Sequence, residues 1–260
     1  NEELSIILVE HTDTAKIRKI FNKINKYAKQ TSRSDNIITS DDDTFAVIAR
    51  KLIREGGPLA PMGKIDLVNW KSNTLSQRSK NLTTLSALYT IAETILKDKN
   101  YSSNVLPTTE DLNEAYEQVA SFWSVSLENI QVFQKYLELT HDDLPVSKLR
   151  EENLLLRPVT QMALAHAALF ARRHGIEWVD VVTKLNSANW SFNNDLWYNI
   201  LVIGSANKKM ITGKESIRSA GAVITYLIMG DQMSRAEIED VRQIIRNARN
   251  DETAELPSRI

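Results

Sequence analysis

The stretch RPVTQMALAHAALFARRHG, residues 157–175, decides the fold class. Its apolar positions continue for more than four helical turns, and the spacing predicts a helix over 157–174 with Gly175 as its C-terminal cap. The longest apolar run in the chain lies inside it, Ala163 to Ala171. That is about half the roughly 18 residues a membrane span requires. Further helices are expected on both sides, over 109–123, 126–139, 177–187, 194–202, 214–229 and 235–249. Gly230 sits where another C-terminal cap belongs, and Ser234-Arg-Ala-Glu237 has the spacing of a capping box. No repeat of fixed period is visible, which argues against a solenoid.

Upstream, Ser40-Asp41-Asp42-Asp43 has capping-box spacing ahead of a helix over about 42–55, which Gly56-Gly57-Pro58 stops. A second helix is expected over 82–97, and a short strand over Ile65–Val68. Leu4–Val9 (LSIILV) is rich in β-branched residues and reads as a strand. Thr12 or Asp13 can cap the helix that follows, whose apolar positions are Ile17, Ile20, Phe21, Ile24 and Ala28. The fold class is therefore mainly α, a multi-helix domain with an N-terminal strand–helix remnant of an α/β domain. Asn100–Pro107 is polar and aperiodic, the best candidate linker between domains at 1–99 and 108–250.

The 260 residues are 42% hydrophobic and 25% charged, an ordinary globular composition. Thirty-two Lys and Arg nearly balance 33 Asp and Glu, for a net charge of -1. Any nucleic-acid role must then use a local basic patch. Cysteine is absent, which excludes disulfides, thiolate nucleophiles and Cys-ligated zinc and fits a reducing, cytoplasmic compartment. The chain opens on Asn1 with no signal-like n-region, and it reads as a piece of a longer protein.

No catalytic motif stands out. Gly213-Lys214-Glu215-Ser216 imitates part of a phosphate-binding loop, but that signature needs Gly where Lys208 stands and Ser or Thr where Glu215 stands. The plainer reading is a helix start after a glycine turn. His11, His141, His166 and His174 form no metal-binding pattern. His166, amid Ala and Leu, reads as a core histidine with a hydrogen-bond partner, and no metal or cofactor is expected. Trp178, Trp190 and Trp197 read as core wedges; a base-stacking platform would need adjacent cations, for which Lys208-Lys209 and Arg172-Arg173 are nearest.

The most suggestive feature is basic. The first helix carries Lys16, Arg18, Lys19, Lys23, Lys26 and Lys29, six cations in fourteen residues, and Arg33 extends the row. A solvated helix face is the plainer alternative. Lys71, Arg78 and Lys80 form a second cluster in an irregular loop rich in Ser and Asn, which can also contact phosphates.

Three segments resemble the DndB family and related DGQHR-domain proteins. They are Ile20-Phe-Asn-Lys-Ile-Asn-Lys-Tyr-Ala-Lys29 followed by Gln-Thr-Ser-Arg-Ser, Asp43-Thr-Phe-Ala-Val-Ile-Ala-Arg50, and Asn73-Thr-Leu-Ser-Gln-Arg-Ser-Lys-Asn-Leu-Thr-Thr-Leu-Ser-Ala-Leu-Tyr89. Their order and spacing match the family over residues 1–97. Over 108–249 the likeness is looser and rests mainly on Leu156-Arg-Pro-Val-Thr-Gln161. The resemblance implies a DNA-binding transcriptional regulator of bacterial DNA phosphorothioate modification, with a ParB-like α/β domain before the helices. The Asp-Gly-Gln-His-Arg motif itself does not occur here, so the chain is either a piece lacking that half or a divergent relative. An ATPase role has also been considered for such proteins, and the incomplete phosphate-loop signature gives it no support.

The expected partner is double-stranded DNA, with Arg18, Lys19, Lys23, Lys26 and Arg33 as first phosphate contacts and Arg78 and Lys80 as second. Two rival classes remain: a helical module that docks a partner protein or a second copy of itself, and part of an enzyme acting on nucleotides or nucleic acid through a segment outside this chain.

Overall fold

The computed structural model describes residues 17–20, 32–63, 65–76, 78–139, 146–205 and 207–260, and its contacts divide the chain into two compact units, 1–32 and 33–260. In the first unit, residues 17–20 form a helical turn with Arg18 and Lys19 exposed. The expected strand Leu4–Val9, the caps Thr12 and Asp13, and the cations Lys23 and Lys26 lie outside the described residues.

The second unit is mainly α, as expected. Its described residues form ten α-helices: α1 (Arg33–Thr39), α2 (Thr44–Leu52), α3 (Leu85–Ile95), α4 (Thr109–Asn129), α5 (Gln131–Leu139), α6 (Val146–Glu152), α7 (Pro158–Arg173), α8 (Trp178–Leu185), α9 (Lys214–Met229) and α10 (Arg235–Arg249). The segment 100–107 runs inside this unit, joining α3 and its terminal 3₁₀ turn to α4.

The opening stretch becomes α7, which packs against α9 on one side and α3 on another, with α2 against α3. Ala163, Ala165, Ala167 and Ala171 are buried along it, and such short side chains let neighbouring helices approach closely. At Gly221 of α9 the approach is closest: a Cβ there would stand 2.7 Å from His166 Cβ and 3.1 Å from the carbonyl oxygen of Ala163. The core between these helices is filled by Leu85, Leu88, Leu164, Val223 and Ile224. Truncating one such leucine to alanine costs about 2–5 kcal/mol.

Two pairs of two-residue strands complete the unit. β1 (Val68–Asn69) pairs parallel with β2 (Thr83–Thr84), Val68 opposite Thr83. β3 (Val202–Ile203) pairs antiparallel with β4 (Lys209–Met210). The β1–β2 pair fixes both ends of a loop over 70–82.

Several boundaries differ from the sequence reading for identifiable reasons. The cap of α2 is Asp43 rather than Ser40: its carboxylate accepts from the backbone N–H of Phe45 (2.9 Å) and Ala46 (3.1 Å). The break expected between 123 and 126 is bridged by α4, because Ser126 is buried and its hydroxyl donates to the Phe122 carbonyl at 2.6 Å. Over 194–202 only a 3₁₀ turn at Asp195–Trp197 forms, followed by Asn199 in left-handed backbone (φ 56°) and then β3. Gly175 is a left-handed cap at φ 66°, whereas Gly230 stays right-handed and opens a 3₁₀ turn. The capping box of α10 forms in full, with Ser234 and Glu237 exchanging side-chain and backbone bonds.

Candidate functional site

Three helices begin at one cavity of about 630 Å³ in the second unit. α3 contributes Ser86 with the preceding cap Thr84, α7 contributes Pro158 and Val159 with the preceding Arg157, and α9 contributes Lys214. Thr84 caps its own helix by accepting from Ala87 N–H at 3.2 Å. Neither α7 nor α9 has a side-chain cap: Arg157 and Gly213 occupy those positions, and Pro158 follows at the first helical position, where its missing N–H costs nothing. The N-terminal ends of helices carry unpaired N–H groups and partial positive charge, so the sequence here leaves two such ends open at the cavity.

Side chains add to that charge. Arg33, Arg157, Lys214 and Arg218 line the cavity, against the single carboxylate of Glu93. Arg33 is held by a hydrogen bond to Thr90 Oγ1 at 3.0 Å and an ion pair with Glu93 at 3.7 Å, its guanidinium 5.2 Å from the Tyr89 ring centre. Burial raises the Glu93 carboxyl above its usual range, and the Arg33 charge opposes this. Tyr89 donates to Asp43 at 2.8 Å, and burial with that bond pushes its phenol well up. Lys214 and Arg218, four residues apart on α9, make no hydrogen bond or ion pair among the described residues.

Arg157 stacks over Phe192 at 4.9 Å, and its Nε is buried without a hydrogen-bond partner among the described residues. Burial lowers its affinity for the proton, yet a guanidinium remains charged. Arg157, Leu75 and Met210 also line a neighbouring cleft of about 560 Å³ that holds Lys208 and Lys209. Lys208 Nζ there donates to the Phe192 carbonyl (3.2 Å) and to Asn193 Oδ1 (2.9 Å).

His166 is not the hydrogen-bonded core histidine that the sequence suggested. It is half-buried, lines the cavity and makes no hydrogen bond among the described residues. Burial first, and then the charges of Lys97 and Arg218, lower its pKa and favour the neutral imidazole. The glycine turn before α9 is a plain helix start, and the Ser216 hydroxyl, buried, donates to the Ile200 carbonyl. Trp190 and Trp197 stack in the core at 5.0 Å, and Trp178 stacks on Phe122 at 5.3 Å. Arg172 and Arg173 pair with Asp98, whose carboxyl they hold down at about 2. Among the described residues no group of three or more His, Asp or Glu is placed to hold a metal ion.

Of the expected phosphate contacts, Arg33 lies at the cavity and Arg18 and Lys19 are exposed in the first unit. Arg78 and Lys80 are exposed on the loop over 70–82 and do not line the cavity. A frame behind them positions that loop. Buried Arg150 of α6 donates from Nη1 to the Ser79 carbonyl, from Nη2 to the Asn81 carbonyl and from Nε to the Leu156 carbonyl. Buried Tyr136 of α5 donates to the Lys80 carbonyl at 2.6 Å. Trp70, 44% exposed, stands at the start of the loop with Lys71 Nζ 5.0 Å from its ring centre.

A family model described as DndB, DNA-sulfur modification-associated, matches residues 1–229. The chain belongs to the DndB family. No curated protein and no solved structure matches it. In this DndB-family chain the matched span contains the loop, its frame and every residue lining the cavity, and ends before α10. The chain is thereby associated with DNA sulfur modification. Among the described residues no helix is long and apolar enough to cross a membrane.

Sequence reasoning missed Arg157, Lys214, Arg218 and His166 as a group. Two signals were available: the Lys214/Arg218 spacing, which puts both on one helix face, and Arg157 in the segment Leu156–Gln161 that carries the family likeness.

Proposed function

We propose that this chain is a cytoplasmic DNA-binding transcriptional regulator of DNA phosphorothioate modification, with duplex DNA as its partner. What carries the reading is the loop over 70–82. It exposes Lys71 against the Trp70 ring and, at its other end, Arg78 and Lys80, where Arg150 and Tyr136 hold the carbonyls of Ser79, Lys80 and Asn81. Cations next to an anchored stretch of backbone contact phosphates at less ordering cost, and an exposed indole adds a stacking face. Arg18, Lys19, Lys23 and Lys26 of the first unit supply a second set of phosphate contacts. Arg33, paired with Glu93 at the cavity, has its charge partly engaged and contributes least.

Titration of a labelled duplex with the chain and with the Arg78→Glu/Lys80→Glu variant tests this reading. Loss of affinity by about tenfold or more in the variant is expected, since two attractive phosphate contacts become repulsive. Equal affinities would remove the loop from the interface.

A further inference from the structure

We infer that the cavity at the N-terminal ends of α3, α7 and α9 is a binding site for a small phosphate-bearing molecule of nucleotide size. Its volume, about 630 Å³, falls within the ~300–1,000 Å³ typical of small-molecule sites. In a chain of net charge -1, four cations face one cavity with a single carboxylate among them. Such a concentration of like charge is unfavourable unless an anion offsets it. Among the described residues Lys214 and Arg218 make no hydrogen bond or ion pair, Lys214 feeling the Glu93 charge only at longer range, and Arg157 Nε is a buried donor without an acceptor. Two uncapped helix starts face the same space, which adds N–H donors suited to phosphate oxygens.

The rest of the lining gives the ligand its second half. Val159, Met162 and Ile217 offer apolar surface, enough to take a flat ring or sugar beside the charged group. A bare anion would leave that surface in contact with water.

Asn73, Thr74 and Leu75 belong to the loop over 70–82 and also line the cavity. A bound ligand therefore touches the element that carries Lys71, Arg78 and Lys80, and it acts as the effector of that surface. This second part rests on the DNA-binding reading; the site itself does not.

The test is calorimetric titration of the full chain with each of the four deoxynucleoside 5′-monophosphates, with deoxyadenosine and with inorganic phosphate. At least one monophosphate binds about tenfold or more tightly than inorganic phosphate, equivalent to about 1.4 kcal/mol, and deoxyadenosine binds more weakly than either. Arg218→Ala weakens that binding about tenfold, as loss of a charge-assisted contact does, while Arg235→Ala, at an exposed residue of α10 that does not line the cavity, leaves it unchanged. No binding by any monophosphate at millimolar concentration, or binding indifferent to both Arg218→Ala and Lys214→Ala, overturns the site. Repeating duplex titrations with the monophosphate present separates the two readings. Unchanged DNA affinity beside intact nucleotide binding overturns the effector role alone. Nucleotide binding in a chain that never binds DNA overturns the DNA-binding reading and leaves the site standing.

Discussion

Gly221 of α9 faces the imidazole of His166 so closely that a methyl group on it would lie 2.7 Å from His166 Cβ. A glycine in a helix interior costs about 1 kcal/mol relative to alanine, so this one is retained against local preference. Gly221→Ala recovers that term but overpacks the α7–α9 contact, which costs about 1–3 kcal/mol. The net expectation is a stability loss of about 1 kcal/mol, read as a lower urea midpoint at unchanged slope. Displacement of His166 should also weaken ligand binding at the cavity. A variant more stable than the parent would show that the two helices move apart freely.

Arg150 is wholly buried and spends its guanidinium on backbone carbonyls at the end of the loop over 70–82. Burial pushes it down to about 10, so it remains charged at neutral pH. Arg150→Met leaves the Ser79, Asn81 and Leu156 carbonyls without that donor, each worth about 1–3 kcal/mol if nothing replaces it. Destabilisation of about 3 kcal/mol or more is expected in urea unfolding, together with weaker duplex binding. Arg150→Lys should not restore either, because an ammonium cannot reproduce the planar fork. Full rescue by lysine would contradict the clamp.

His166 gives the pH dependence a definite sign. Its folded pKa lies below the ordinary 6.5, owing to burial and then to Lys97 and Arg218, so the unfolded chain takes up a proton first. Its contribution to stability is complete above about 6.5 and is lost as pH falls toward the folded value. Glu93, raised by burial, works in the opposite sense at lower pH, so comparison with His166→Gln isolates the histidine. That variant should lose less stability than the parent on going from pH 7 to 6. In an NMR titration, Lys97→Ala and Arg218→Ala should each raise the His166 pKa. An unmoved value in both would remove their charges from the account.

How far the chain could be read without coordinates depended on whether the signal was local. The capping box at Ser234 and the helix over 214–229 form with the limits that their caps and periodicity implied. Where tertiary contacts decide, the local signal misled. Residues 124–125 read as a break between two helices, but the helix runs on to Asn129, and the buried Ser126 hydroxyl bonds within α4 and receives the Trp178 indole N–H at 3.0 Å. Asn199 in left-handed backbone ended a segment whose composition suited a helix. The cavity was harder still, since Arg33, Arg157 and Arg218 stand far apart in sequence and meet only because α7 lies between α3 and α9. Lys214 drew notice as part of an incomplete phosphate loop; its surroundings give it a place at an anion site by a different arrangement.

The most direct test of the central claim, that the loop over 70–82 binds DNA phosphates, is the salt dependence of duplex affinity. Fluorescence anisotropy would compare the chain with its Lys71→Ala/Arg78→Ala/Lys80→Ala variant at several salt concentrations. Each phosphate contact contributes about 0.9 to the slope of log affinity against log salt, so the variant's slope should be shallower by about 2–3. Identical slopes, or no binding by the parent even at low salt, would contradict the account.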